Sequence, residues 1–209
     1  MLMNMQVHEF VNELASSSPA PGGGTIAAVS GAFGAGLAAM VCRLTIGNAK
    51  YPDSQEILPP VLVELDGHVA RMVALADEDT EAFNQVMAAF RMPKETDEEK
   101  ALRKTAIAAA NLLATRIPME TATRAVEALE KMDTVIAYGN TNALSDCGVA
   151  VESLHTAVTG ALMNVGINLP SVKDEEALEE LTGQRDQLKK RLDTAVTGAR
   201  KALAEKFVY

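Results

Sequence analysis

Tryptophan is missing from this chain, and Phe and Tyr together supply only 4% of its 209 residues. A core filled without large rings is not that of an aromatic-rich β-sandwich. Cysteine is nearly absent as well. Cys42 and Cys147 stand alone, without metal-ligand or redox spacing, which suits a reducing compartment. Positive charge is scarce: 19 Lys and Arg face 28 Asp and Glu, for a formal net charge of −9. No surplus of cations is available to displace counterions, so a sequence-independent DNA or RNA binder is excluded, although a local basic pocket for a small anion is not. The opening MLMNMQVHEF carries no Lys or Arg ahead of an apolar run. No secretory leader is expected, and the expected location is cytoplasmic.

Alanine takes the place of the absent residues, with 34 copies alongside 14 Gly and 10 Met. Alanine is the best helix former, and a core of Ala, Gly, Leu, Val and Met requires closely spaced helices. No strand-like alternation is sustained, and there is no internal repeat or long linker. The expectation is an all-α fold, a bundle of about six helices in a single domain over residues 1–209, two of them Ala/Gly-rich. Helices with modest apolar bulk also suit burial between subunits, so a symmetric homodimer is expected.

The first helix is read from Met5 to Ser16, with Val7, Phe10, Val11 and Leu14 on one side. The breaker Ser16-Ser17-Ser18-Pro19-Ala20-Pro21-Gly22-Gly23-Gly24 separates it from a second helix, Thr25 to Ile46, which Gly47 and Asn48 cap. The third starts at Asp53/Ser54, has Pro59 and Pro60 disturbing its early turns, and reaches Phe90. The fourth starts at a capping box, Thr96 to Glu99, and runs to Met132 with a kink at Pro118. The fifth runs from Gly139 to Gly166 and the sixth from Lys173 onward. The uncharged stretch Thr25 to Cys42 is long enough to span a membrane. Its Ala, Gly and Ser content and the lack of an aromatic belt favour a buried helix of a water-soluble protein, so no membrane partner is expected. Ala27, Gly31, Ala35 and Ala39 recur every four residues, which admits close backbone approach.

Three features carry chemistry. The segment Ser18 to Gly24 presents backbone N–H groups at a helix start, which favours a carboxylate or phosphate. Neither a Walker lysine nor a preceding strand accompanies it, and a tight turn for helix crossing is an equal reading. Asp79 falls where the third helix calls for an apolar residue, between Ala76 and Phe83. Desolvation would raise its pKa toward a value useful for proton transfer, and a structural hydrogen bond or ion pair is the alternative. On the fifth helix, Asn142, Asp146, Ala150, Ser153, Ala157, Gly160, Asn164 and Asn168 form one small or polar stripe. It suits the wall of a cavity or a close subunit contact, and polar residues bonded across a helix interface are an equal reading. His155 pairs with Glu152 at i+3, more simply as a surface pair than as a base. His8 and His68 lack company, and no metal is expected.

In order, Ser16–Gly24, Asp79-x-x-Ala82-Phe83, Met92-Pro93-Lys94, the Pro118 region, Gly139-Asn140 through Ser145-Asp146, and Asn164-Val165-Gly166-Ile167-Asn168-Leu169 resemble the cyclodeaminase/cyclohydrolase family of folate enzymes. The resemblance spans about Glu9 to Leu169. It implies a helical, dimerising subunit acting on the one-carbon unit of a tetrahydrofolate substrate, without a cofactor. The implied activity is methenyltetrahydrofolate cyclohydrolase, with formiminotetrahydrofolate cyclodeaminase as the alternative. The implied catalytic residue is Asp79, and Asp146 is expected as a second catalytic residue that orients the pterin. Ser18, Pro21, Gly22, Gly23, Gly24, Asn140, Asn164 and Asn168 are the implied walls of the folate site. The anionic tail of folate then needs local positive charge, from the Gly22–Gly24 amides assisted by Lys50, Arg43 or Arg116. From another class, a non-catalytic helical dimer that binds folate or another anion would fit the same residues.

Overall fold

A computed structural model describes residues 1–206. Seven α-helices follow one another: α1 (Val7–Leu14), α2 (Gly23–Thr45), α3 (Ser54–Arg91), α4 (Asp97–Glu130), α5 (Met132–Tyr138), α6 (Leu144–Asn168) and α7 (Glu175–Lys206). One 3-10 turn precedes α1 and two others join α5 to α6 and α6 to α7; there is no strand among the described residues. Four long helices, α2, α3, α4 and α6, form the core; α7 lies across α4 and α6.

Local chemistry sets the boundaries. Thr96 accepts a hydrogen bond from the Glu99 N–H at 3.1 Å, and the Glu99 carboxylate accepts from the Thr96 N–H at 3.0 Å, closing the capping box that starts α4. Gly47, at φ +81°, takes the left-handed conformation just beyond the end of α2. Pro59 and Pro60 sit in the second turn of α3, which stays continuous from Ser54.

The core depends on small residues. Ala27, Gly31, Ala35 and Ala39 are all buried, facing other helices of the same chain. At Gly34 a Cβ would stand 2.7 Å from Leu154 Cγ and 2.9 Å from the Ala150 carbonyl oxygen of α6. A side chain there would force the two helices apart. α2 is also the helix among the described residues that is long and apolar enough to cross a membrane, and 67% of its most apolar stretch is buried inside the protein.

Some elements differ from the sequence expectation. The fourth helix ends at Glu130, close to the expected Met132, and is followed by α5, a short helix that the sequence expectation did not contain. Its residues Met132, Val135 and Ile136 are buried in the same core as Leu129. The expected fifth helix starts later, at Leu144, after a turn that Asn140 caps by accepting from the Asn142 N–H at 3.0 Å. α1 has no fully buried residue: Val7 and Val11 are exposed, and Phe10 and Leu14 are half-buried. The end of the expected C-terminal helix, residues 207–209, lies outside the described residues.

Pro118 sits inside α4 and is buried. Lacking an N–H, it leaves the carbonyl of Ala114 without its helical partner, a defect costing about 3 kcal/mol in a helix interior. The Asn168 side-chain amide at the end of α6 donates to that same Ala114 carbonyl at 2.8 Å. One neutral hydrogen bond returns about 1 kcal/mol, so it offsets part of the defect and fixes the end of α6 to the middle of α4. Asn168→Ala should therefore destabilise the protein by about 1–3 kcal/mol in urea unfolding. In a Pro118→Ala background, where a backbone N–H at position 118 reaches the carbonyl, that cost should fall. Equal costs in both backgrounds would show that the carbonyl does not depend on Asn168.

Candidate functional site

At one end of the bundle the start of α2, the middle of α3, the middle of α4 and the end of α6 enclose a cavity of about 410 Å³. That is a volume typical of small-molecule sites. Gly22, Gly23 and Gly24 form one edge, Asp79 and Thr80 the floor, and Asn111, Asn164 and Asn168 supply amides. Phe83, Val86, Phe90 and Ile167 make an apolar wall. Larger cavities lie elsewhere. One of about 560 Å³ between α6 and α7 holds the mutually paired Glu152 and Arg200. Another of about 630 Å³ between α3 and α4 is lined by ion pairs of opposite sign, among them Lys131–Glu64 and Arg124–Glu127. Neither includes Asp79 or the glycine-rich start of α2 among its lining residues.

Asp79 is half-buried and packed against the first turn of α2. The Thr25 hydroxyl donates to Asp79 Oδ2 at 2.9 Å. A Cβ on Gly24 would collide with the Asp79 carboxylate, so glycine is what lets the carboxylate reach this helix end. Two opposing effects act on its proton. Burial raises the pKa above the usual carboxylate value, and hydrogen bonds from the Thr25 hydroxyl and backbone N–H lower it; burial prevails. The helix N-terminus expected to attract an external anion thus already faces an anion of the protein itself.

Asn164 and Asn168 each spend an amide hydrogen on a backbone carbonyl, Gly160 at 2.9 Å and Ala114 at 2.8 Å. Each keeps a carbonyl oxygen and a second hydrogen for a ligand. No Lys or Arg is among the residues lining the cavity. At the rim, Arg103 donates to the carbonyl of the lining residue Phe90 at 3.1 Å and lies over its ring, 5.9 Å from the centroid. Such a site can stabilise positive charge on a planar ligand and move a proton at the reacting centre.

The residues singled out from sequence divide between two ends of the bundle. Gly22, Gly23, Gly24, Asp79, Asn164 and Asn168 converge on the cavity. Pro21 is buried behind the glycines, and Ser18 is exposed, its hydroxyl donating to the Ala20 carbonyl at 2.7 Å. Asp146 shares the stripe with Asn164 but stands eighteen residues away, about 27 Å along α6. Asn140 ties the same far end together, accepting from the Tyr51 hydroxyl at 3.0 Å and donating its N–H to Thr45 Oγ1 at 2.8 Å. Lys50 is exposed beyond the far end of α2. Within one chain these three do not meet Asp79. Arg43 is engaged by Asp66 in a bidentate pair, and Arg116 lines a different cavity.

Thr25, Thr80, Asn111, Val86, Phe90 and Ile167 were not singled out as site residues from the sequence. Asn111 carried a readable signal: a lone amide on an Ala-rich stretch, two turns before Pro118. Thr25 carried none, since Thr at a helix start is common. His155 sits within 3.8 Å of Glu152, and Arg200 bridges both, so it is part of a surface ion cluster. His68 does have company, Glu127 at 3.9 Å, and its burial pushes its pKa down. Burial pushes both thiols, Cys42 and Cys147, up to about 11, so they stay protonated at neutral pH. Among the described residues no group of three or more His, Cys, Asp or Glu gathers to hold a metal.

Residues 6–187 match the family model described as formiminotransferase-cyclodeaminase. The methenyltetrahydrofolate cyclohydrolase of Methylorubrum extorquens is 41% identical over 187 residues, covering 88% of this chain and 90% of that protein. The formimidoyltransferase-cyclodeaminase of Rattus norvegicus is 32% identical over 174 residues, 83% of this chain; the match spans 32% of that longer protein. The crystal structure of formiminotetrahydrofolate cyclodeaminase from Thermotoga maritima superposes with a TM-score of 0.87 over 98% of both chains, at 23% identity, and so shares the fold. The ordered motifs, the helical architecture and the match over most of the chain agree: this protein belongs to the formiminotransferase-cyclodeaminase family.

Proposed function

We propose that this chain is a methenyltetrahydrofolate cyclohydrolase, converting 5,10-methenyltetrahydrofolate and water to 10-formyltetrahydrofolate, with Asp79 as its acid–base group. The observation that carries the reading is a half-buried carboxyl facing a cavity with no cationic side chain among its lining residues. The methenyl group is a delocalised amidinium cation. A carboxylate beside it, away from bulk water, stabilises that charge. Water adds to the methenyl carbon and gives a proton to Asp79. The tetrahedral carbon then releases N5, which takes the proton, and the second proton of the water leaves to solvent as the formyl C=O forms. The Asn111, Asn164 and Asn168 amides fit the mixed donor–acceptor edge of the pterin, and Phe83, Val86, Phe90 and Ile167 fit its rings and the adjoining benzoyl group. The likeness to the Methylorubrum cyclohydrolase over nearly its full length supports this choice.

Cyclodeamination is the second reading, favoured by the same geometry. N10 would attack the formimino carbon of 5-formiminotetrahydrofolate and ammonia would leave, through the same kind of tetrahedral centre. Parallel assays separate the two: hydrolysis consumes the methenyl absorbance, and cyclodeamination creates it. The reading carries with it a cytoplasmic protein that needs no bound cofactor and acts as a homodimer. The dimer rests on the outward face of α2, where Ile26, Ser30, Phe33, Leu37, Met40 and Leu44 recur at alternating spacings of four and three. Phe33 is 62% exposed, and Val149, Met163 and Ile167 on the neighbouring α6 are 57%, 65% and 77% exposed. A second copy of this face, apolar and nearly free of charge, is its best complement.

Asp79→Asn tests the chemistry. Turnover of 5,10-methenyltetrahydrofolate should fall by about 10²–10⁴; retention within about tenfold overturns the assignment. Because burial raises the Asp79 pKa, the native state holds this proton more tightly than the unfolded chain does. The contribution to stability is present below the unfolded pKa and lost as pH rises through the folded one. Above that folded pKa the ionised group opposes folding, so the Asn variant should unfold at or above the native Tm on the alkaline side of the Asp79 titration. Phe33→Glu tests the dimer: sedimentation should show a monomer, and an unchanged mass would place the interface elsewhere.

A further inference from the structure

Two hydroxyls stand in line behind Asp79. Thr25 Oγ1 is 2.9 Å from Asp79 Oδ2 and 3.2 Å from Thr80 Oγ1. Thr25 is fully buried, whereas Thr80 lines the cavity. A hydroxyl has one hydrogen and two lone pairs, so the chemistry fixes the direction of this chain. When Asp79 is ionised, the Thr25 hydrogen goes to its carboxylate, and Thr25 then accepts from Thr80. When Asp79 carries a proton on Oδ2, it donates to Thr25; the Thr25 hydrogen turns to Thr80, whose own hydrogen is freed toward the cavity. In both states the Asp79–Thr25 and Thr25–Thr80 links persist with no movement of heavy atoms.

We propose that Thr80 and Thr25 form a reversible two-hydroxyl relay that positions Asp79 in its charged and neutral forms alike and links it to the cavity. The proposal rests on the acid–base reading of Asp79 for its functional meaning. The relay lets the carboxyl take up and release a proton without rotating out of line, which keeps its geometry fixed through a catalytic cycle. Little else competes for control of this group. From α2, α4 and α6, no charged side chain shares the cavity with it. On α3 itself, Asp77 accepts from the Leu2 N–H at 2.6 Å, and Glu78 is paired with Arg71.

The two threonines act on opposite states, so their removal has opposite signs. Thr25→Val deletes the donor to the carboxylate, and a hydrogen bond to a charged group is the stronger one. The charged form loses more, and the Asp79 titration midpoint should move to higher pH. Thr80→Val leaves the charged form's own bond intact. It deprives the neutral form of the acceptor that ends its chain, so the midpoint should move to lower pH. Thr25→Ser keeps the hydroxyl and should titrate as the native protein does. The measurement is a ¹³C NMR titration of the Asp79 carboxyl carbon in the free protein labelled at aspartate, assigned by the loss of its signal in Asp79→Asn. Circular dichroism checks that each variant is folded. Should Thr25→Val fail to fold, Thr25→Cys replaces it, with a weaker donor of similar size and the same expected direction.

Opposite shifts with serine rescue support the relay. Unmoved midpoints, shifts of the same sign, or a shift in one variant alone overturn it, since a purely structural role would alter stability and leave the titration in place. The readout needs no turnover. If Asp79→Asn keeps its activity while the midpoints still move apart, the acid–base reading fails and the relay stands.

Discussion

Close approach of α2 to its neighbours is the constraint on which the rest of this molecule depends. Gly34 admits the backbone of α6, and Gly24 admits the carboxylate of Asp79 from α3. Around these contacts Ala27, Gly31, Ala35 and Ala39 keep the inward face of α2 thin along its length. A chain without tryptophan and with few other rings has little bulk to fill wide gaps. It gains its packing by drawing helices together until dispersion contacts between small groups suffice. The scarcity of aromatics and the abundance of alanine are two sides of that arrangement.

The site is a product of the same approach. With the α2 backbone this near, its first turn meets a side chain of α3 directly. A carboxylate that burial would leave isolated gains a hydroxyl and an amide donor. Burial still prevails, which leaves a group that holds a proton more readily than an exposed aspartate and stays in place whichever state it occupies. Opposite it, Pro118 breaks one hydrogen bond of α4, and Asn168 fills the gap from α6. A local defect in one helix thereby becomes a junction between two, located at the wall of the cavity.

Charge follows a comparable logic. The net charge of −9 argued against nucleic acid as a partner and suggested that an anionic substrate would need a basic nest. The cavity is lined instead by a carboxyl, amides and an apolar wall, with Arg103 at the rim. Such a lining favours a ligand whose reacting part is cationic and whose negative groups remain near solvent. The proposed methenyl substrate divides its charges in that way.

The helical class, the breaks at the glycine-rich segment and at Pro93, and the anomaly of Asp79 were legible in the sequence, because each follows from local propensity or from a period of 3.6 residues. So was the polar stripe of α6. Periodicity assigns a residue to a face, however, and leaves open which part of the face meets which neighbour. Asp146 and Asn164 share a stripe, yet Asn164 joins Asp79 and Asp146 lies at the other end of the bundle. The separate α5, the role of Asn168 and the pairing of Thr25 with Asp79 were decided by tertiary structure. Two of these join residues 54 positions apart, and the third is a short helix that buries Met132, Val135 and Ile136 in the core. Such contacts depend on how closely and in what register whole helices pack, and that is set by the sum of all their side chains together.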